Sequence, residues 1–136
     1  MRVVSAMLMP LLLTVSAAAQ DVQDLESSDQ AIAKIVQEAE IGSGMASYYG
    51  RELAGNHTAS GERFNPEELT AAHRTLAFGS KVRVTNMSTG DSVIVRINDR
   101  GPFSHGRIID VSQAAAREIG MHRSGTARVK LALLDD

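Results

Sequence analysis

The residue best placed for chemistry is an acid at the end of an apolar run. Asp99 follows the run 92–97 and opens the tight turn 100–102 within the segment Asn98 to Phe103. Residues held there by rigid backbone, yet exposed at one face of the fold, are often functional. The spacing alone slightly favours a plainer role, in which Asp99 caps the turn or pairs with Arg100.

Two other segments carry polar groups suited to binding a sugar. The run 58–64 places Glu62 beside a glycine and the hydroxyls of Thr58 and Ser60, although such a run is more often an ordinary loop. His73 lies in a mixed apolar and polar segment, where a lone histidine is more often structural than catalytic. The other histidines are scattered through loops, so the sequence predicts no metal site.

Composition excludes several classes of function. The chain has no cysteine, hence no disulfide, thiolate metal site or cysteine nucleophile. Its net charge of −2 and lack of a basic stripe argue against nucleic acid as a partner. Serine hydrolase elbows, His-Glu-x-x-His and nucleotide-binding glycine loops are also missing. Any stacking platform for a sugar must come from five aromatic residues: Tyr48, Tyr49, Phe64, Phe78 and Phe103.

The elements that must position these residues are short strands. The runs 81–85 and 92–97 flank a glycine-bearing turn and predict a hairpin. Ser112 is a natural N-cap for an alanine-rich helix over 113–119, and Gly120 stands where a C-terminal glycine belongs. Further β-type runs lie at 45–49, 108–111 and 126–134. About six strands with one or two short helices predict a small, mainly β barrel.

The N-terminal third of the sequence differs in residue pattern from the rest. Residues 1–19 combine a basic start, an apolar core and an Ala-x-Ala site, which predicts a signal peptide cleaved near Ala19. A membrane anchor or buried helix is the less favoured alternative, because the apolar stretch is short for a span. Residues 20–43 form an acidic leader, either a short helix or a loosely ordered spacer, and the domain proper is expected over 44–136. The expected location is the periplasm or the exterior.

Seven motifs in a single order resemble the rare lipoprotein A (RlpA) family of bacterial cell-wall proteins. Any one of them is weak, but seven in register are specific, and together they cover most of the chain after the leader. They are GMASYYG at 44–50, TASGE at 58–62, LTAAHRTL at 69–76, VRVTN at 82–86, VRINDRGPF at 95–103, RIIDVS at 107–112 and AAA at 114–116.

The resemblance implies a six-stranded double-psi β-barrel and lytic transglycosylase activity on peptidoglycan glycan strands, in some members with a preference for strands stripped of stem peptides. Carried over position by position, it implies catalytic roles for Asp99, His73 and Glu62. The candidate substrate-binding residues beside them are Tyr48, Tyr49, Thr58, Ser60, Asn98, Arg100 and Phe103.

Such a reaction fits a single carboxyl group. In a lytic transglycosylase the muramic acid C6 hydroxyl attacks its own C1, so Asp99 can serve first as acid and then as base, without a cofactor. Holding a proton near neutral pH would be favoured by partial burial or by a nearby acid such as Glu62, and opposed by Arg100 unless it points outward. His73 could bind substrate, orient Asp99 or assist proton transfer.

The chain also departs from the family pattern. The cysteine that anchors many members to lipid is missing, and we expect no further domain after the barrel. The expectation is therefore a soluble protein without a membrane anchor, acting as a monomer. The alternative function is a non-catalytic peptidoglycan-binding module, or one that loosens the wall as expansins do.

Overall fold

The computed structural model describes residues 38–135. The predicted signal peptide 1–19, and the predicted leader up to residue 37, lie outside the described residues. None of the helices in the described part is long and apolar enough to cross a membrane. The elements in chain order are β1 Glu38–Tyr48, a 3₁₀ turn Arg51–Leu53, β2 Thr70–Ala72, β3 Lys81–Asn86, β4 Ser92–Asp99, β5 Arg107–Val111, α1 Gln113–Glu118 and β6 Thr126–Leu134.

The six strands close into a barrel in the order β1-β5-β2-β4-β3-β6. This confirms the predicted mainly β barrel, and the antiparallel β3–β4 pair confirms the predicted hairpin. The short strand β2 runs parallel to β4 and antiparallel to β5. Its last residue, Ala72, pairs with Asp99 on one side and with Asp110 on the other. Closure therefore brings two acidic residues to the two sides of one strand.

Alternation along β4 explains how the barrel presents Asp99. Val93, Val95 and Ile97 are buried in the core, whereas the residues between them face outward or are half-buried. Asp99 ends the strand and is partly exposed. The core thus fixes the strand on which the acid sits, while the acid itself reaches solvent.

The one α-helix of residues 38–135, α1, has the ends that the sequence predicts. The Ser112 hydroxyl accepts the Ala115 N–H at 3.3 Å, and Gly120 follows the helix with a φ of +70°. Ala115 and Ala116 are fully buried against the barrel.

The first strand begins earlier than the expected boundary at residue 44. Residues 38–43, assigned to the leader from the sequence, belong to β1 and pair antiparallel with β6, for example Glu38 with Leu134. Gly42, with a φ of +147°, sits where the register shifts. A glycine that resembles a boundary in sequence therefore accommodates a bulge within a strand.

Candidate active site

Asp99 is held by donors from three directions. Its Oδ1 accepts the backbone N–H of Ala59 at 2.9 Å and that of Arg100 at 2.8 Å. Its Oδ2 accepts the Tyr49 hydroxyl at 3.2 Å. Because Oδ1 already has two N–H donors, Oδ2 is the oxygen better suited to hold or receive a proton.

Tyr49 is fixed as the donor in its bond with Asp99. Burial, followed by the negative charges of Asp99 and Asp110, raises the pKa of Tyr49 well above its usual range. The hydroxyl therefore stays protonated at any working pH. Its ring packs edge-on against Phe64, with centroids 5.2 Å apart and planes at 71°.

A pocket of about 150 Å³ opens beside the Asp99 carboxyl group. Its lining combines apolar and polar side chains, as ligand pockets commonly do. The lining residues are Tyr49, Leu53, Asn56, His57, Thr58, Phe64 and Asp99. From the sequence, no specific site role was assigned to Leu53, Asn56, His57 or Phe64. The one sequence feature that could have indicated such a role was the aromatic ring of Phe64.

The chain between residues 51 and 64 folds back on itself to build this pocket. The Gly55 N–H donates to the Phe64 carbonyl, and the Phe64 N–H donates to the Asn56 carbonyl, each at 2.8 Å. The His57 Nδ1 lies 3.2 Å from the Gly61 carbonyl. Leu53 and Phe64, eleven positions apart, thereby line one space.

Glu62 directs its carboxylate at Arg96 and Asn98. Its oxygens lie 2.7 Å and 2.9 Å from the two terminal nitrogens of Arg96, and the Asn98 side-chain amide donates to it at 2.9 Å. These hydrogen bonds, that from Arg96 first, lower the pKa of Glu62 to about 2. Glu62 is therefore an anion whose charge is neutralised by Arg96. The expectation that the charge of Glu62 favours protonation of Asp99 is left without support.

His73 lies next to Asp99 through the backbone, its N–H donating to the Asp99 carbonyl at 3.2 Å. Its Nδ1 accepts the N–H groups of Thr75 and Leu76, both at 3.2 Å. Burial, then the positive charges of Arg100 and Arg74, lowers the pKa of His73 below its usual 6.5. The imidazole is thus neutral near pH 7, with its proton on Nε2.

Arg100 turns away from the carboxyl group that precedes it. Its guanidinium donates to the carbonyls of His73 and Leu76 and lies 4.0 Å from the centre of the Phe78 ring. Arg100 stabilises the loop after β2 and leaves the pocket beside Asp99 clear.

The remaining candidate residues divide into three groups. Thr58 lines the pocket. Ser60 and Asn98 join the loop that carries Thr58 to β4, because the Ser60 N–H donates to the Asn98 carbonyl at 3.2 Å. Phe103 is 82% exposed on the loop after β4. Tyr48 points elsewhere, its hydroxyl donating to the His122 carbonyl at 2.8 Å.

Asp110 is a second acid to which sequence reasoning gave no role. It is buried on β5, where its Oδ1 accepts the Ser47 hydroxyl at 2.5 Å and lies 3.7 Å from an Arg107 nitrogen. Its Oδ1 is therefore engaged on the other side of β2 from Asp99. Within residues 38–135, no three His, Asp or Glu side chains are grouped closely enough to hold a metal ion.

Comparison with known proteins identifies the family of this chain. The family model described as lytic transglycolase matches residues 41–131. The chain belongs to this family. A probable endolytic peptidoglycan transglycosylase RlpA from Synechocystis sp. is 60% identical over 91 residues, which are 67% of this chain and 28% of the relative. The endolytic peptidoglycan transglycosylase RlpA of Neisseria meningitidis is 56% identical over 88 residues, 65% of this chain and 37% of that protein.

The chain therefore spans only about a quarter to two fifths of these relatives of the lytic transglycolase family. Among solved structures, apo expansin from Clavibacter michiganensis superposes with a TM-score of 0.57 at 20% identity, covering 69% of this chain and 50% of that one. At that identity the likeness concerns the fold alone, and it confirms the double-psi β-barrel.

Substituting Tyr49 with Phe removes one hydroxyl and keeps the ring. Because a hydrogen bond to a charged group contributes about 1.5–3 kcal/mol, we expect the rate of the glycan cleavage proposed below to fall about tenfold or more. Tyr48→Phe is the matched control, since it removes the neighbouring hydroxyl from a bond directed at His122. Initial rates on glycan strands test this prediction, which equal rates for the two variants would contradict.

Proposed function

We propose that this domain cleaves the glycosidic bond between N-acetylmuramic acid and N-acetylglucosamine in peptidoglycan, forming 1,6-anhydromuramic ends. One observation supports this most: the Asp99 carboxyl group stands at the wall of a pocket with both oxygens oriented by fixed donors. The family and the relatives named RlpA support the same reaction.

Asp99 performs both proton transfers in the proposed reaction. Its Oδ2 first donates a proton to the glycosidic oxygen, so that the bond to the muramic C1 breaks and the glucosamine unit leaves with a hydroxyl. The muramic C6 hydroxyl then bonds to C1, and the Asp99 carboxylate takes the proton that this hydroxyl releases. No water is consumed, and Asp99 ends protonated as it began.

A hydrolase would need a second carboxylate to activate water or to form a covalent intermediate. Asp110 is the nearest acid in register, since both it and Asp99 pair with Ala72. It is buried and bound by Ser47 and Arg107, which leaves it poorly placed to orient water in the pocket. Glu62 is likewise occupied by Arg96. These contacts favour the lytic route.

His73 and the pocket wall take supporting roles. As a neutral imidazole with its proton on Nε2, His73 donates a hydrogen bond to the substrate and does not act as a base. Phe64 and Leu53 provide an apolar surface for a sugar ring, and Thr58 provides a hydroxyl. Phe103, exposed on the next loop, is suited to contact a more distant sugar of the strand.

The substrate defines the setting of the enzyme. Peptidoglycan lies outside the cytoplasm, so we place the protein in the periplasm or outside the cell, after removal of the predicted signal peptide 1–19. We also propose that the domain acts as a monomer, because barrel closure leaves no strand edge for pairing with another chain.

The deciding experiment incubates the purified protein with native glycan strands and with strands stripped of stem peptides by an amidase. Mass analysis of the products should find anhydromuramic ends, in larger amount from the stripped strands. Hydrated reducing ends would indicate a hydrolase instead. Binding without products would indicate the alternative, a wall-binding or expansin-like module.

A further inference from the structure

We propose that Arg96 is a positioning residue for Asp99, acting through Glu62 and the loop 58–62. The inference rests on the proposed function in assigning Asp99 the proton transfers. It gives Glu62 the role of a permanent anion that holds this loop, in place of the catalytic role that the family resemblance implies. Arg96 itself, three residues before Asp99 on β4, drew no attention in the sequence.

The first step is the pair between Arg96 and Glu62. Both terminal nitrogens of Arg96 bind the carboxylate, Nη1 to Oε2 at 2.7 Å and Nη2 to Oε1 at 2.9 Å. Such a two-pronged pair fixes the direction of the carboxylate as well as its distance. The side chains are 39% and 35% exposed, so the value of the pair lies in its geometry more than in its net stability.

The second step joins Glu62 to strand β4 and closes the loop. Oε1 of Glu62 also accepts a hydrogen bond from the side-chain amide of Asn98. The backbone carbonyl of Asn98 accepts the Ser60 N–H at 3.2 Å. Within the loop, the Thr58 N–H donates to the Glu62 carbonyl at 2.8 Å, and the hydroxyls of Thr58 and Ser60 lie 2.9 Å apart. Glu62 and Ser60 therefore fasten the loop to β4.

The third step reaches the reactive group. Ala59 stands between Thr58 and Ser60, and its N–H is the donor 2.9 Å from Oδ1 of Asp99. Its place depends on the loop, since the loop is held to β4 through Glu62 and Ser60. Breaking the Arg96 pair should therefore loosen this donor and disturb the rotamer of Asp99. A displacement of about 1 Å at a reacting group can lower a rate about 100-fold.

A second ion pair provides a matched control. Arg83 binds Glu38 with Nη2 and Oε1 2.7 Å apart, and these side chains are 35% and 28% exposed. Arg83 lies on β3 and also touches Ser92, at the opposite end of β4 from Asp99. Arg83→Gln therefore removes an equivalent pair without touching the loop 58–62.

The experiment compares Arg96→Gln, Arg96→Lys, Glu62→Gln and Arg83→Gln by two readouts. In the first, hydrogen exchange on the free protein, Arg96→Gln should speed exchange of the Ala59 and Ser60 amides about tenfold or more. The second readout is glycan cleavage, where the same variant should lower kcat about 10- to 100-fold and change KM less than threefold. Arg96→Lys keeps the positive charge but lacks the planar guanidinium that binds both carboxylate oxygens. Its exchange rates and kcat should therefore lie between those of the unaltered protein and those of Arg96→Gln.

Coupling and control variants make the test decisive. Glu62→Gln should change amide exchange and kcat as much as Arg96→Gln does. The double variant should lose no more activity than either single variant, because both changes break the same Arg96–Glu62 pair. Exchange and kcat in Arg96→Gln no different from those in Arg83→Gln would overturn the proposal. If the unaltered protein yields no product, the proposed function fails, and exchange at Ala59 alone decides whether Arg96 positions this loop.

Discussion

Asp99→Asn is expected to lower the rate of anhydromuramic end formation by about 10²- to 10⁴-fold, the usual contribution of a general acid or base. Asparagine has nearly the same shape, and its side-chain oxygen can still accept the N–H groups of Ala59 and Arg100. It can neither deliver a proton to the glycosidic oxygen nor take one from the C6 hydroxyl. Initial rates by mass analysis of released fragments provide the measurement.

The same change at a remote acid is the control. Asp91 is exposed in the turn between β3 and β4, so Asp91→Asn should keep the full rate. Binding of glycan strands to Asp99→Asn should stay within a few-fold of the unaltered protein, which separates loss of chemistry from loss of substrate. A folded Asp99→Asn variant that still forms anhydromuramic ends at a tenth of the normal rate would assign the proton transfers to another residue.

The strands were predictable where their side chains alternate. Runs such as 81–85 and 92–97 bury every second residue, and the glycine-bearing turn between them leaves little choice but a hairpin. β2 gave no such signal, because Thr70–Ala72 is three residues long and buried throughout. Its strand character comes from β4 and β5 on its two sides, which are distant in sequence.

The start of β1 was missed for a related reason. The spacing of apolar residues before position 41 is compatible with a helix, and Gly42 resembles a break. What makes 38–43 a strand is antiparallel pairing with β6, about ninety residues away. Local patterns carry no information about a partner that distant, so tertiary pairing overrides them.

Of the candidate site, the sequence predicted the acid, Asp99, but not the partners of the other site residues. The turn after the strand marked Asp99, but the partners of Glu62 lie 34 and 36 positions away, on β4. Tyr48 and Tyr49 are the same residue type, yet the hydroxyl of Tyr48, at the end of β1, binds the His122 carbonyl and that of Tyr49, just after β1, binds Asp99. Only the register of the barrel separates them.

His73→Ala is expected to lower kcat about 100-fold, the second largest effect after the loss of Asp99. Both N–H groups of Thr75 and Leu76 bind the Nδ1 of His73, so the ring is held as a neutral donor through Nε2. Removing a donor aimed at a reacting substrate costs about 10²- to 10³-fold in comparable sites. His73→Gln restores an N–H donor and should recover part of the loss. His105→Ala, in an exposed loop, is the control.

The pH dependence distinguishes a neutral donor from an acid or base at His73. Because burial and two guanidinium groups lower its pKa from 6.5, the folded protein binds this proton more weakly than the unfolded chain. The neutral ring, and its contribution to stability, are fully present above pH 6.5 and are lost as pH falls through 6.5 toward the lowered pKa. His73→Gln should flatten this acidic loss of stability and of rate. A rate that instead drops as pH rises through 6.5, and that does so only while His73 is present, would require the imidazolium as a proton donor and would contradict the role of a neutral hydrogen-bond donor.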